Sequence, residues 1–184
     1  MSPKGIANYP WIHIPDKQFD ANGEYKTNLI VPMKQGKALA KLIKQKDQDN
    51  YEATKSKNKK DKRQDLPYTV NKDDQTIEFK FKQKALIETK DGDKFPKTVM
   101  IFDAKGNPCK VAVGRGSTII CNFDFYEYMH KVHGAGVQLR LNAVQVLDLI
   151  EWKDSKDAGS FGFAEEDGFE SDERLIVTGK QSYK

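Results

Sequence analysis

The stretch TIEFKFKQK, residues 76–84, decides the fold. Apolar and charged residues alternate through it, and a β-strand points successive side chains to opposite faces. Ile77, Phe79 and Phe81 therefore share one face, and Glu78, Lys80, Lys82 and Lys84 share the other. The first set reads as core. The second is a surface, mostly lysine, suited to an anionic partner.

The same period returns on either side of this strand. In YPWIHI (9–14), Ile12 and Ile14 fall on one face and Trp11 and His13 on the other. In EYKTNLIVP (24–32), after the turn-like DANG, Tyr25, Thr27, Leu29 and Val31 oppose Lys26 and Asn28, and Pro32 closes the strand. These two runs read as a hairpin-like pair. Residues 34–63 change period. Leu39, Leu42 and Ile43 fall at helical spacing with Lys37, Lys41 and Lys44 around them. This segment carries 11 basic and 4 acidic residues and reads as a basic helical insertion that frays into TKSKNKKDKR.

Further strands are expected at about 76–88, 97–103, 117–126 and 136–150, separated by the turns KDGDK, DAKGNP and GRG (114–116). In STIICNFDFYEY, Ile119, Cys121, Phe123 and Phe125 share a face opposite Asn122, Asp124, Tyr126 and Tyr128. The alternation Val137-Leu139-Leu141 changes phase near Ala143 to Val144 and Val146, which predicts a bulge there. Five or six strands, one helix and no βαβ rhythm give a fold dominated by β-structure. It is a small barrel or sandwich, and the long strands favour the barrel.

Composition bounds the function. Of 184 residues, 38% are hydrophobic and 32% charged, and no apolar run approaches the ~20 residues of a membrane helix. The start MSPKGIANYP has no apolar stretch of signal-peptide type, so a cytosolic protein is expected. Cys109 and Cys121 are too few for a disulfide scaffold and read as free thiols. Residues 1–147 hold 26 Lys and Arg against 17 Asp and Glu, whereas residues 148–184 hold 5 against 10. A basic body with an acidic end points to nucleic acid.

GEYKTNLIVP, TIEFKFKQKA, VMIFDAKGNP, GRGSTI and GAGVQLRLNAVQVLDL, in that order, resemble the single-stranded DNA-binding proteins of podovirus-type phages over roughly residues 8–150. The resemblance implies a five-stranded OB-fold barrel over residues 1–152, with residues 34–63 inserted as a helix after the second strand and residues 153–184 forming an acidic tail. It also implies coating of single-stranded DNA without strong sequence preference in replication and recombination, strand annealing, and work in the cytoplasm of an infected bacterium. The partners it implies are a replication polymerase and a helicase-primase, and a homodimer is a further expectation. The family's tail is long, strongly acidic and ends in an aromatic residue. Here the acidic patch runs from Glu165 to Glu173 and the sequence ends at Lys184, so recruitment through the tail is not expected to follow the family pattern.

An OB-fold binds nucleic acid on the outer face of its first strands and in flanking loops. Alternation places Trp11, His13, Lys26, Asn28, Lys80 and Lys82 on that face. The set combines cations for phosphates with an aromatic for bases. Arg115, in the glycine turn, is a candidate phosphate contact, and Tyr126 and Tyr128 are candidate stacking residues. Each has a structural alternative: Trp11 half-buried as a wedge, the two tyrosines packed under the tail, Arg115 simply exposed. Phe79 and Phe81 read as core because Ile77 shares their phase. No cofactor or metal is expected. Cys109, Cys121, His130 and His133 lack any C-x-x-C spacing for zinc. Two other classes stay open: a metal-dependent nucleic-acid enzyme using a pair such as Asp73 and Asp74, and an OB-like protein-interaction or virion component. No G-x-S-x-G, phosphate loop or H-E-x-x-H supports catalysis.

Overall fold

A computed structural model describes residues 1–55, 62–89 and 92–152, together with 164, 167 and 168. In chain order its elements are β1 (Gly5–Asp16), β2 (Glu24–Pro32), α1 (Met33–Thr54), β3 (Tyr68–Asn71), β4 (Thr76–Lys84), β5 (Leu86–Glu88), β6 (Lys94–Pro96), β7 (Met100–Phe102), β8 (Thr118–His130) and β9 (Gly134–Asp148). The chain divides into a unit Met1–Lys153, which holds all of these, and a unit Asp154–Lys184. Apart from residues 164, 167 and 168, the acidic tail 153–184 with Phe161, Phe163 and Phe169 lies outside the described residues, as does the lysine run at 56–61.

The alternation of TIEFKFKQK becomes a ladder. β2 and β4 pair antiparallel without a break, from Glu24 opposite Lys84 to Pro32 opposite Thr76. Their inward residues, Thr27, Leu29 and Val31 from β2 with Ile77, Phe79 and Phe81 from β4, are buried in one core. β1 pairs with β2, and its first residues pair with β8. β8 and β9 form a long hairpin, and β9 returns parallel to β4 at Phe81–Leu139 and Lys82–Arg140. These contacts close β1-β2-β4-β9-β8 into a ring. That is an OB-fold barrel of five strands. β3 lengthens the sheet beside β4, β7 beside β9, and β5 with β6 forms a separate hairpin.

Several boundaries differ from expectation. The strand expected at 76–88 stops at Lys84, because Ala85 breaks the ladder and residues 86–88 turn away to pair with β6. The strand expected at 97–103 contracts to Met100–Phe102. β8 runs on to His130 and β9 begins already at Gly134, joined by a tight turn. The phase change near Ala143 is present: Ala143 opposes Asn122 and Leu141 opposes Phe123, leaving Asn142 as the extra residue.

α1 starts directly after Pro32 and buries Leu39 and Ile43, as their spacing predicts, together with Ala40. Leu42 is a correction. It is exposed, because the buried stripe continues through Asp47 and Asn50 and leaves Leu42 on its flank. Asn50 Nδ2 donates to the carbonyls of Tyr128 and Gly136, both at 3.0 Å, and so ties the helix to the β8–β9 hairpin. Arg63 is bound to the buried Asp47 and its guanidinium lies 4.7 Å from the centre of the Tyr51 ring, which fixes the chain where it leaves the lysine run.

Ile14 is a second correction. It is 47% exposed, whereas Ile12 is buried. The register of β1 against β2 breaks twice, between Asn8 and Trp11 and between Trp11 and Asp16. At the first break Tyr9 takes a left-handed backbone, φ 50°. Ala7 points inward, so unbroken alternation would send Tyr9 and Trp11 inward too. The break reverses the phase, burying Pro10 and Ile12 and turning Tyr9 and Trp11 out.

Candidate nucleic-acid interface

The outward residues line up across strands. Trp11 on β1 opposes Lys26 on β2, Lys26 opposes Lys82 on β4, and Lys82 opposes Arg140 on β9. One step along, Asn8 opposes Asn28 and Asn28 opposes Lys80. Register thus makes two cross-strand rows over the outside of the barrel, because residues opposite one another in a ladder lie side by side.

The rows are not uniformly basic. Lys26 Nζ lies 2.5 Å from Asp16 Oδ2, and Lys82 Nζ lies 3.6 Å from Glu24 Oε1. The hydrogen bond from Lys26, with a further one from the Gln18 amide, holds the Asp16 carboxyl below its ordinary range, so it stays charged at neutral pH. Glu78 Oε1 accepts from Asn8 Nδ2 at 2.9 Å and from Asn28 Nδ2 at 3.0 Å. A phosphate arriving at Lys26 or Lys82 replaces a carboxylate rather than filling a vacancy. Among the described residues Lys80 and Arg140 make no ion pair; Arg140 lies on the Tyr126 ring, and Lys80 is exposed, which leaves Lys80 the most available cation of the rows.

Tyr126 and Tyr128 stack at 5.8 Å with rings 20° apart, and the Arg140 guanidinium sits 4.0 Å from the Tyr126 ring centre. Tyr126 is exposed. Tyr128 is half-buried, and burial, with the nearby charge of Asp47, pushes its phenol up, so it stays neutral. Tyr128 lies across Gly136, where a Cβ would come 2.7 Å from its ring. A base stacking here meets an Arg–Tyr–Tyr stack already assembled.

His13 is turned outward but half-covered. Its ring sits 5.4 Å from that of Trp152, its Nδ1 is buried without a hydrogen-bond partner, and burial lowers its pKa. Arg115 is separate from the lysine rows. It lies on the far side of Trp11, with its guanidinium 5.6 Å from the Tyr9 ring centre.

A model of the family described as the single-stranded DNA-binding protein of bacteriophage T7 matches residues 4–149. The chain belongs to this family. The family member gp2.5, a single-stranded DNA-binding protein encoded by bacteriophage T7, has a crystal structure to which this chain is similar at 25% identity and TM-score 0.73, over 92% of this chain and 96% of that one. The single-stranded DNA-binding protein of bacteriophage Enc34 is similar in fold at 12% identity and TM-score 0.51, over 87% of each chain. The same Enc34 protein in complex with single-stranded DNA is similar in fold at 13% identity and TM-score 0.51, over 80% of this chain and 85% of that one. No curated protein sequence matches the chain.

Within this member of the family, the structure brings Trp11, Lys26, Asn28, Lys80 and Lys82 together on adjoining strands and leaves Arg115 to one side. It brings Tyr126 and Tyr128 to Arg140, the row's next member, which sequence reasoning missed. The signal for Arg140 was present, since it alternates with the buried Leu139 and Leu141. Tyr9 and Trp152 were also missed. Nothing in the composition around Tyr9 marks a bulge, and Trp152 reaches β1 through pairings remote in sequence. The alternative acidic pair, Asp73 and Asp74, caps the β3–β4 turn: both backbone amides donate to Asn71 Oδ1, and Asp74 accepts from Asn71 Nδ2 at 2.5 Å. Cys121 is buried in the core, where burial pushes its thiol up and keeps it protonated, while His130 and His133 sit exposed at the β8–β9 turn. Among the described residues no group of three His, Cys, Asp or Glu side chains is placed to hold a metal, and no helix is long and apolar enough to cross a membrane.

Proposed function

We propose that the chain coats single-stranded DNA without strong sequence preference, the strand crossing the outer face of β1, β2, β4 and β9. The observation that carries this reading is the row Trp11–Lys26–Lys82–Arg140, aligned by three successive strand pairings and flanked by Lys80 and Tyr126. Its chemistry accounts for low specificity. Lysines neutralise phosphates, which carry no sequence, and an aromatic face accepts any base. Within the same reading the protein acts in phage replication and recombination, promotes annealing, and meets the polymerase and helicase-primase in the cytoplasm of the host. Membership of a phage single-stranded DNA-binding family supports that setting.

The test is a titration of fluorescent oligo-dT and of duplex of equal length at two salt concentrations. Single strands are expected to bind tightly at low salt and to weaken steeply as salt rises, because phosphate contacts release counterions. Duplex is expected to bind more weakly, since its paired bases are not free to stack. Equal affinity for both at moderate salt would overturn the reading.

A further inference from the structure

Beside the lysine rows lies a cleft of about 230 Å³ that no ladder or core requires. Its walls include Tyr9, Trp11, His13, Ile14, Arg115 and Trp152, with Pro10 between the first two. Three of these are aromatics left in water: Tyr9 is 60% exposed, Trp11 38% and Trp152 40%. Apolar surface gathered in one place on a protein marks a contact.

Two pieces of backbone are spent on building it. The first is the break in β1. A tyrosine with φ near +50° is an uncommon and strained residue, and a bulge gives up ladder pairing to re-aim a side chain. Here it turns Tyr9 and Trp11 outward together. The second is the turn at 114–116. Gly114 N donates to Ile150 O at 2.7 Å and Trp152 N to Ala112 O at 2.8 Å. A Cβ on Gly114 would fall 2.7 Å from Ile150 O and 2.9 Å from Trp152 N, so only glycine lets the turn lie this close. That closeness sets Arg115 and Trp152 on the same cleft.

The geometry points to a second subsite for single-stranded DNA: one base enters the cleft against Tyr9, Trp11 and Trp152, and its phosphate is met by Arg115. The volume is below the roughly 300–1,000 Å³ of sites for drug-sized ligands and suits a single ring system. Aromatic walls with one cation and no array of directed polar groups fit any base, not a chosen one. Trp11 belongs both to this cleft and to the lysine row, so the strand continues from β2 over β1 towards the 114–116 turn. The inference rests on the single-stranded DNA reading above and extends its path to Tyr9 and Trp152.

The chain contains two tryptophans, and both line this cleft, but Trp11 also belongs to the lysine row, so the emission of Trp152 in Trp11→Phe is the signal that reports on this place alone. Oligo-dT is expected to quench the full-length protein, and both single-tryptophan variants, Trp11→Phe and Trp152→Phe, to retain quenching. Tyr9→Asn, which tolerates the left-handed backbone, and Trp152→Ala are each expected to weaken oligo-dT binding on the order of 10-fold at constant thermal midpoint. Failure of the wild type to bind any oligo-dT at low salt removes the DNA reading and the subsite with it. Binding with unaltered emission, and with Tyr9→Asn as tight as wild type, removes the subsite alone. A change in sedimentation without a change in affinity in Trp152→Ala makes the cleft a contact between copies and overturns the subsite.

Discussion

His13 shows what a single residue can betray about a surface. Alternation put it outward with Trp11, and outward it is, but Trp152 lies over it and its Nδ1 has no partner. Desolvation disfavours the imidazolium, so the folded pKa lies below the ordinary 6.5. The sign follows by linkage. The unfolded chain takes up a proton as pH falls through about 6.5, and the folded chain takes it up only at lower pH. Stability is therefore full above 6.5, declines below it, and stops declining once the folded ring is protonated too. The thermal midpoint of the wild type is expected to fall between pH 7 and pH 5, and that of His13→Gln to fall less. Parallel curves for the two proteins would mean that His13 does not carry the dependence. Trp152 was invisible from here in the sequence because it pairs with Ala112, 40 residues away, and burial of His13 depends on that pairing.

At the scale of elements, legibility followed regularity. β2 and β4 alternate without a break, and their whole ladder and both faces read directly from the residues. β1 also alternates in sequence, but a left-handed tyrosine gives no turn signal, so its phase reversal at Tyr9 and the exposure of Ile14 were hidden. The expected strand 76–88 joins β5 to β4 because Ala85 does not look like a boundary, and β6 lies between the expected strands, beside the KDGDK turn. Closure of the barrel through β4 and β9 rests on two residue pairs, too few to leave a pattern. The rows on the β2–β4 ladder make a quantitative prediction. Lys80 and Lys82 lie two residues apart on one strand's outer face, and each phosphate neutralised on a single strand contributes ~0.7 to the slope of log affinity against log salt. Lys80→Ala with Lys82→Ala is expected to reduce that slope by ~1.4. Lys82 contributes the smaller part if its pairing with Glu24 persists in the complex, which the two single variants separate. An unchanged slope in the double variant would move the phosphate path off this ladder.

At the scale of the whole molecule, charge is divided along the chain. Residues 148–173 hold ten carboxylates and two lysines, interleaved with Phe161, Phe163 and Phe169, while residues 1–147 carry nine more cations than anions. Among the described residues the buried core runs from Ala7 to Val146, all within the unit Met1–Lys153. A protein ending at Lys153 is therefore expected to keep its thermal midpoint. Its DNA affinity is a separate matter. Lys26 and Lys82 are already paired with carboxylates of neighbouring strands, Asp16 on β1 and Glu24 on β2, and a tethered acidic segment offers the same chemistry at high local concentration. Such attraction is screened beyond a Debye length of about 8–10 Å at moderate salt. The shortened protein is expected to bind oligo-dT more tightly than full length at low salt, with the two affinities converging as salt rises. Titration of both proteins at low and high salt checks this. Equal affinities at both salts, with the thermal midpoint kept, would exclude the tail as a competitor for the lysine rows. A lowered midpoint would instead assign residues 154–184 a part in holding the barrel, and the affinity of the shortened protein would then report on that loss of stability.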